Sequence, residues 1–232
     1  MKGAIVKKGL SGNLLKIIAI ITMTADHVGA ALFPQYKILR IIGRITMPIF
    51  AFLIAEGCYY TKNKLKYFGM IFLLGVICTL AYYIAEGRIY LTILTTFSFS
   101  ILMIFALEHA FERKTAIAWA LALLAFFAAA FFAYGLPALT GKRQWAYDYG
   151  FFCALLPVGV YLVSDFRLKL LVCAAFLTVI AFEFGGVQWW AYLALGFLAF
   201  YDGTRGKYNI KYFFYLYYPL HLVAIYGISM LI

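Results

Sequence analysis

Lys16, Asp26 and His27 interrupt the first long apolar run of the chain, Leu14 to Gly29. A lysine or aspartate at the centre of a membrane helix costs about 2.5–3.5 kcal/mol, so each such group needs a partner. Lys16 and His27 are eleven residues apart, which is about 16 Å and close to three helical turns, so both side chains share one face. Asp26 and His27 are neighbours that point about 100° apart. Asp26 is therefore poorly placed to orient the imidazole, and its partner is expected on another helix, as an arginine or a hydroxyl. Arg40 and Arg44, at i and i+4, form a basic strip whose fork-shaped donors either grip a carboxylate or phosphate or neutralise Asp26. Arg44 lies about 6 Å into the second helix and His27 about 9 Å below the end of the first, so the two can meet across a short hairpin.

Lys16 and Glu56 fall at similar heights on adjacent antiparallel helices. They read as a structural ion pair or as part of an anion site. His221, in Tyr217-Tyr218-Pro219-Leu220-His221, lies about 16 Å along the last helix, within about a turn of His27 in depth. Two imidazoles at one depth suit acid/base work, since an unperturbed ring titrates at about pH 6.5. His109, at a charged helix end, is expected to be solvated, and Glu183 is a weaker candidate near the opposite surface. No phosphate-binding glycine loop, HExxH, GxSxG or glycosidase-type carboxylate pair is present.

The elements that must position these residues are membrane helices. Hydrophobic residues make up 66% of the 232 and charged residues 12%, too apolar a composition for a soluble domain. The net charge of +11 is spread over many short loops, so it speaks for membrane topology and against nucleic acid as a partner. Cys58, Cys78, Cys153 and Cys173 stand in apolar segments without CxxC or His/Cys pairing. Buried reduced thiols are expected, with no metal site or disulfide framework. Tyr59-Tyr60, Trp189-Trp190 and the run from Tyr212 to Tyr218 read as interfacial anchors.

The pattern predicts an all-α, polytopic bundle of about nine transmembrane helices, near 13–33, 40–60, 66–85, 91–111, 115–136, 149–163, 168–184, 187–201 and 210–231. Residues 1–232 form a single membrane domain, since the longest connection, Pro137 to Asp148, is too small for a soluble one. Fourteen lysines and arginines then fall on the amino-terminal side against six on the other. That bias predicts a cytoplasmic amino terminus in a multi-pass protein of a bacterial inner membrane. Lys2, Lys7 and Lys8 ahead of an apolar run also suit a signal peptide, but the run continues past an Asp-His pair that a cleaved segment would not need.

Leu15-Lys16-Ile17-Ile18-Ala19, Met23-Thr24-Ala25-Asp26-His27, Leu39-Arg40-Ile41-Ile42-Gly43-Arg44 and Phe50 to Gly57, with the closing Tyr217-Tyr218-Pro219-Leu220-His221, resemble the signatures of the TraX family. These small membrane proteins are related to the acyltransferase-3 group. The likeness is strong over about 13–70 and 212–222. It implies transfer of an acetyl group from cytoplasmic acetyl-CoA, with no metal, to an amine or hydroxyl acceptor at the outer face. The acceptor would be a peptide amino terminus, a sugar or another small molecule.

By matching position, His27 would be the catalytic histidine and Lys16 its basic partner; Asp26 and His221 stand beside it as further catalytic candidates, His221 to position the acceptor or assist protonation. Lys16, Lys62 and Lys64, with the paired arginines Arg40 and Arg44, would bind the cofactor. Arg44, Glu56 and Tyr218 would hold the acceptor or steady an oxyanion. In the acyltransferase-3 relatives the arginine pair comes later and near the cytoplasmic face, whereas the charge count places Arg40 and Arg44 outside. There they would face the acceptor instead of CoA phosphates. A proton-coupled transporter with Asp26, His27 and His221 as a relay is the alternative, and an assembly scaffold a third reading. An oligomer is compatible with all three.

Overall fold

The computed structural model describes residues 9–87, 89–142, 145–208 and 210–231, and the regular elements among them are all helical. Lys2, Lys7, Lys8, Arg88 and Arg143 of the charge count lie outside the described residues. The helices are α1 Gly12–Ala31, α2 Lys37–Gly43, α3 Thr46–Tyr60, α4 Lys64–Glu86, α5 Ile93–Arg113, α6 Ala116–Ala130, α7 Leu136–Thr140, α8 Gly150–Leu162, α9 Phe166–Phe184, α10 Leu193–Ala199 and α11 Lys211–Ser229. Nine spans are predicted; among the described residues five helices are long and apolar enough to cross a bilayer: Gly12–Ala31, Lys37–Tyr60, Lys64–Ala85, Ile93–Arg113 and Ala116–Thr140. Gly150–Leu162 and Phe213–Ser229 are shorter apolar helices. The stretch predicted as one helix over 187–201 begins as the 3-10 turn Gly186–Tyr192 before α10.

Side-chain oxygens open several helices. Asn63 accepts from the Lys66 amide at 2.8 Å, Asp165 from Leu168 at 2.9 Å and Thr115 from Ala118 at 3.2 Å, each satisfying an N–H that has no partner inside its helix. The helix predicted to end at 136 instead passes through a π turn, Phe131–Gly135, into α7, so Pro137 lies within a helix and the following loop is shorter than expected. Beside this widened turn the Ala129 carbonyl accepts from the buried Tyr147 phenol at 2.8 Å. Such turns free backbone groups for other partners.

Helices in lipid associate mainly through close packing, which small residues permit. Ala118, Ala122, Ala125 and Ala129 are buried on α6, and α6 packs on α5. The core gathers Leu15 and Ala19 of α1, Phe52 of α3, Phe97 and Ile101 of α5, Leu156 of α8 and Leu177 of α9. Ile21, Leu73, Leu80, Leu124, Phe127, Leu171 and Phe182 point outward, as lipid-facing residues do. All four cysteines are buried free thiols.

The second span breaks where the site needs it. The amides of Arg44 and Ile45 bond back to the carbonyls of Ile41 at 3.1 Å and Ile42 at 3.2 Å, and these i to i−3 bonds tighten the chain between α2 and α3. One residue earlier, a Cβ on Gly43 would fall 2.2 Å from Asp26 Oδ1. Glycine here lets the α2 backbone close on the Asp26 side chain.

Candidate functional site

α1 and α11 bring two imidazoles into contact. His27 Nδ1 lies 2.8 Å from His221 Nε2, and His221 Nδ1 lies 3.0 Å from the Tyr217 carbonyl. A carbonyl can only accept, so Nδ1 of His221 carries its hydrogen and, in the neutral ring, Nε2 is the acceptor. His27 must then donate from Nδ1, which leaves the lone pair of a neutral His27 on Nε2. The tautomers thus follow from one backbone oxygen. The Tyr217 ring stacks on His221 with an interplanar angle of 9°, and Tyr218 meets it edge-on at 82°. Thr24 Oγ1 and the Tyr217 phenol, 2.7 Å apart, tie α1 to α11 beside the pair.

Asp26 turns away from the imidazole, as its helical position predicts, and is held by both arginines of α2 and its end. Arg44 Nη2 donates to Oδ1 at 2.6 Å and Arg40 Nη1 to Oδ2 at 2.9 Å. Arg44 also donates from Nε to the Arg40 carbonyl at 3.2 Å, and from Nη1 to the Tyr149 phenol at 2.7 Å and Gln188 Oε1 at 3.3 Å. Its guanidinium is thereby fixed between α1, the entry to α8 and the 3-10 turn before α10. Of the two readings of the arginine strip, neutralisation of Asp26 accounts for both residues.

These groups line a cavity of about 330 Å³ whose walls include Asp26, His27, Arg40, Arg44, Asp148 and Tyr149. Burial pushes the Asp148 carboxyl up to about 6, against the lowering effects of a Tyr90 hydrogen bond and Arg44. A second cavity of about 610 Å³ lies toward the start of α1, with Asn13, Lys16, Glu56, Tyr60 and Arg205 among apolar walls. Met23, Phe50, Ile93 and Tyr218 border both. A ligand in the second cavity would touch side chains that also border the His27 cavity.

The five residues expected to bind a cofactor together are separated. Arg40 and Arg44 belong to the histidine cavity and Lys16 to the second one. Lys62 is exposed, and Lys64 pairs with Glu108 at 2.9 Å. Glu56 pairs with Lys169 at 2.6 Å. Equal height on neighbouring helices did not decide this partner, because α9 also packs against α3. Lys16 Nζ stands 5.5 Å over the Phe214 ring. Tyr218 is the residue of the acceptor group that touches both cavities, whereas Glu56 reaches only the second. His109 is exposed, and Glu183 accepts from the Tyr134 phenol at 3.3 Å.

Tyr149, Gln188, Asp148 and Thr92 were missed in the sequence. For Gln188 a signal existed, a lone amide between Gly185-Gly186 and Trp189-Trp190 in an otherwise apolar stretch.

The fold and site define a polytopic helical membrane protein with a hydrogen-bonded imidazole pair, one member of which lines a cavity that also holds arginines and aspartates. The chain belongs to the TraX family, whose model, described as TraX protein, matches residues 11–229. It is similar to a protein of Dichelobacter nodosus described as "Probable fimbrial assembly protein FimC, serogroup H1", with 27% identity over 239 residues, covering 91% of this chain and 92% of the relative. It is also similar to "Uncharacterized protein RP591" of Rickettsia prowazekii (strain Madrid E), with 48% identity over 54 residues, 23% of this chain and 21% of the relative. No solved structure matches the chain significantly. The expected function, acetyl transfer from cytoplasmic acetyl-CoA to an outer acceptor with a transporter as alternative, is corrected by these names. The relative matched over 91% of this chain is described by fimbrial assembly.

Proposed function

We propose that this protein is a membrane-embedded factor of fimbrial assembly that acts chemically on a fimbrial subunit while the subunit is in or at the membrane. Similarity over 91% of this chain to a relative named for fimbrial assembly supports the process. The single observation that supports chemistry, and not scaffolding alone, is the hydrogen bond to His221 made by His27, which lines a cavity.

In this reading His27 Nε2 takes a proton from a group on the subunit. The resulting imidazolium is stabilised by its Nδ1–H bond to His221, whose own Nδ1–H is anchored on the Tyr217 carbonyl. The pair works as an oriented base, and the Asp26–Arg44 clamp keeps the α1–α2 hairpin rigid behind it. The fourteen-to-six charge bias supports an inner-membrane protein with a cytoplasmic amino terminus.

Deletion of the gene in its host, complemented with wild type, His27→Ala or His221→Ala, tests the reading. Electron microscopy should show surface fimbriae restored by wild type alone, with both variants present in the membrane fraction. Mass spectrometry of the subunit should show a mass change that depends on His27. Normal fimbriae and an unchanged subunit mass with His27→Ala would refute the proposal.

A further inference from the structure

Two polar side chains on the wall of the histidine cavity are buried without a hydrogen-bond partner among the described residues: Gln188, 3% exposed, through Nε2, and Thr92, 1% exposed, through Oγ1. Such groups are uncommon in folded proteins, because an unsatisfied buried donor carries its full desolvation penalty. Each is also held in place. Gln188 Oε1 accepts from Arg44 Nη1 at 3.3 Å, so the amide cannot turn over without setting its NH₂ against a guanidinium. The free N–H edge is therefore presented permanently. Thr92 occupies the N-cap position of α5, where a hydroxyl ordinarily accepts from the helix's own first turn, yet it makes no such bond.

The charges on the same wall select the ligand further. Arg40 and Arg44 contribute two positive charges and Asp26 and Asp148 two negative ones, with the histidines taken in the neutral tautomers described above. Asp148, pushed up only to about 6, carries its charge at neutral pH, and Asp26 is ion-paired with both arginines. The arginine charge is already matched, and Arg44 spends four of its five N–H donors on Asp26, Tyr149, Gln188 and the Arg40 carbonyl. An anion would enter without a counter-charge. An uncharged oxygen acceptor would not need one.

We infer that Gln188 and Thr92 form a recognition site for an uncharged amide carbonyl, such as a peptide group, held in the cavity of the His27–His221 pair. Gln188 Nε2–H and the Thr92 hydroxyl donate to that carbonyl, and the surrounding phenols of Tyr90, Tyr149 and Tyr218 supply the mixed apolar and polar wall that a short peptide segment needs. These residues position the ligand and take no part in proton transfer. The inference rests on the reading of this cavity as the place where a fimbrial subunit is handled, and it names the chemical group by which the subunit is grasped.

The test uses the full-length protein in detergent micelles and two probes, a capped alanine dipeptide amide with no charge and the same dipeptide with a free carboxylate. Binding is read by saturation-transfer NMR and by the ligand-induced shift in melting temperature. The wild type should bind the capped probe at least ten-fold more tightly than the carboxylate. Thr92→Val and Gln188→Leu should each weaken the capped probe about ten-fold, the effect of one neutral hydrogen bond. Thr92→Val has no partner to lose, so its ligand-free melting temperature should match or exceed that of the wild type. It carries the test if Gln188→Leu misfolds through loss of the Arg44 contact. Equal or tighter binding of the carboxylate, no binding of the capped probe to the wild type, or undiminished binding by Thr92→Val would each overturn the inference. Failure here with fimbriae still lost in His27→Ala leaves the fimbrial role standing, whereas normal fimbriae in His27→Ala removes that role itself.

Discussion

Replacement of Asp26 by asparagine should destabilise the protein through Arg44 far more than through Arg40. The Arg44 side chain is 8% exposed and lies 2.6 Å from the carboxylate; that of Arg40 is 35% exposed, at 2.9 Å. Breaking a buried pair by removing one charge costs about 3–5 kcal/mol, mostly because the other charge stays behind uncompensated. A solvent-screened pair is worth about 0–1 kcal/mol. At about 2–4 °C per kcal/mol for a chain of this size, Asp26→Asn should lower the melting temperature in detergent by roughly 6–20 °C. Arg40→Gln should change it by no more than about 4 °C on the same conversion. The double variant Asp26→Asn/Arg44→Met removes both buried charges and should recover much of the loss, giving a coupling energy of about 2 kcal/mol or more in a double-mutant cycle. Equal effects of Arg40→Gln and Arg44→Met, or additivity of Asp26→Asn with Arg44→Met, would refute the assignment of Arg44 as the buried partner.

Gly43→Ala should lower the melting temperature by an amount comparable to an overpacking defect, about 1–3 kcal/mol, since its Cβ would lie 2.2 Å from Asp26 Oδ1; an unchanged melting curve would exclude the close α1–α2 contact. In ¹⁵N NMR of labelled protein at neutral pH, the Nδ1 atoms of His27 and His221 should both be protonated and His27 Nε2 should show the shift of a bare nitrogen, whereas the reverse tautomer for His27 would contradict the relay through Tyr217. Lys169→Met should cost about 3–5 kcal/mol by stranding Glu56, and Lys169→Met/Glu56→Gln should restore most of it. Asp148, whose ordinary value is 3.8 and whose folded value is about 6, keeps its proton in the folded chain over a window where the unfolded chain has released it. Its contribution therefore lowers stability as pH rises from about 4 to 6, and Asp148→Asn should flatten that part of a stability-against-pH curve measured beside the wild type.

Hydropathy and helical period are local properties, and they made the helical membrane architecture legible from sequence together with the divergence of Asp26 from His27. Depth along a helix is also local, since it needs only a start and the rise per residue. Depth was enough to set Arg44 opposite the end of α1 and to bring His221 level with His27, residues 194 positions apart that proved to be hydrogen-bonded. What depth cannot supply is azimuth and neighbourhood. Lys16 and Glu56 are at one height, yet Glu56 takes Lys169 because α9 also borders α3.

Composition and spacing by themselves determined that buried charge on α1 required partners, and they named the residue types that could serve. Only the tertiary structure decided which partners met, that both arginines converge on Asp26, that Tyr149 and Gln188 accept from Arg44, and that the buried Thr92 and Gln188 line the histidine cavity. The physical reason is that a polar group in an apolar medium must bond to something, a demand visible in any sequence, whereas the identity of that partner is fixed by which helices can pack closely enough to bring it within about 3 Å.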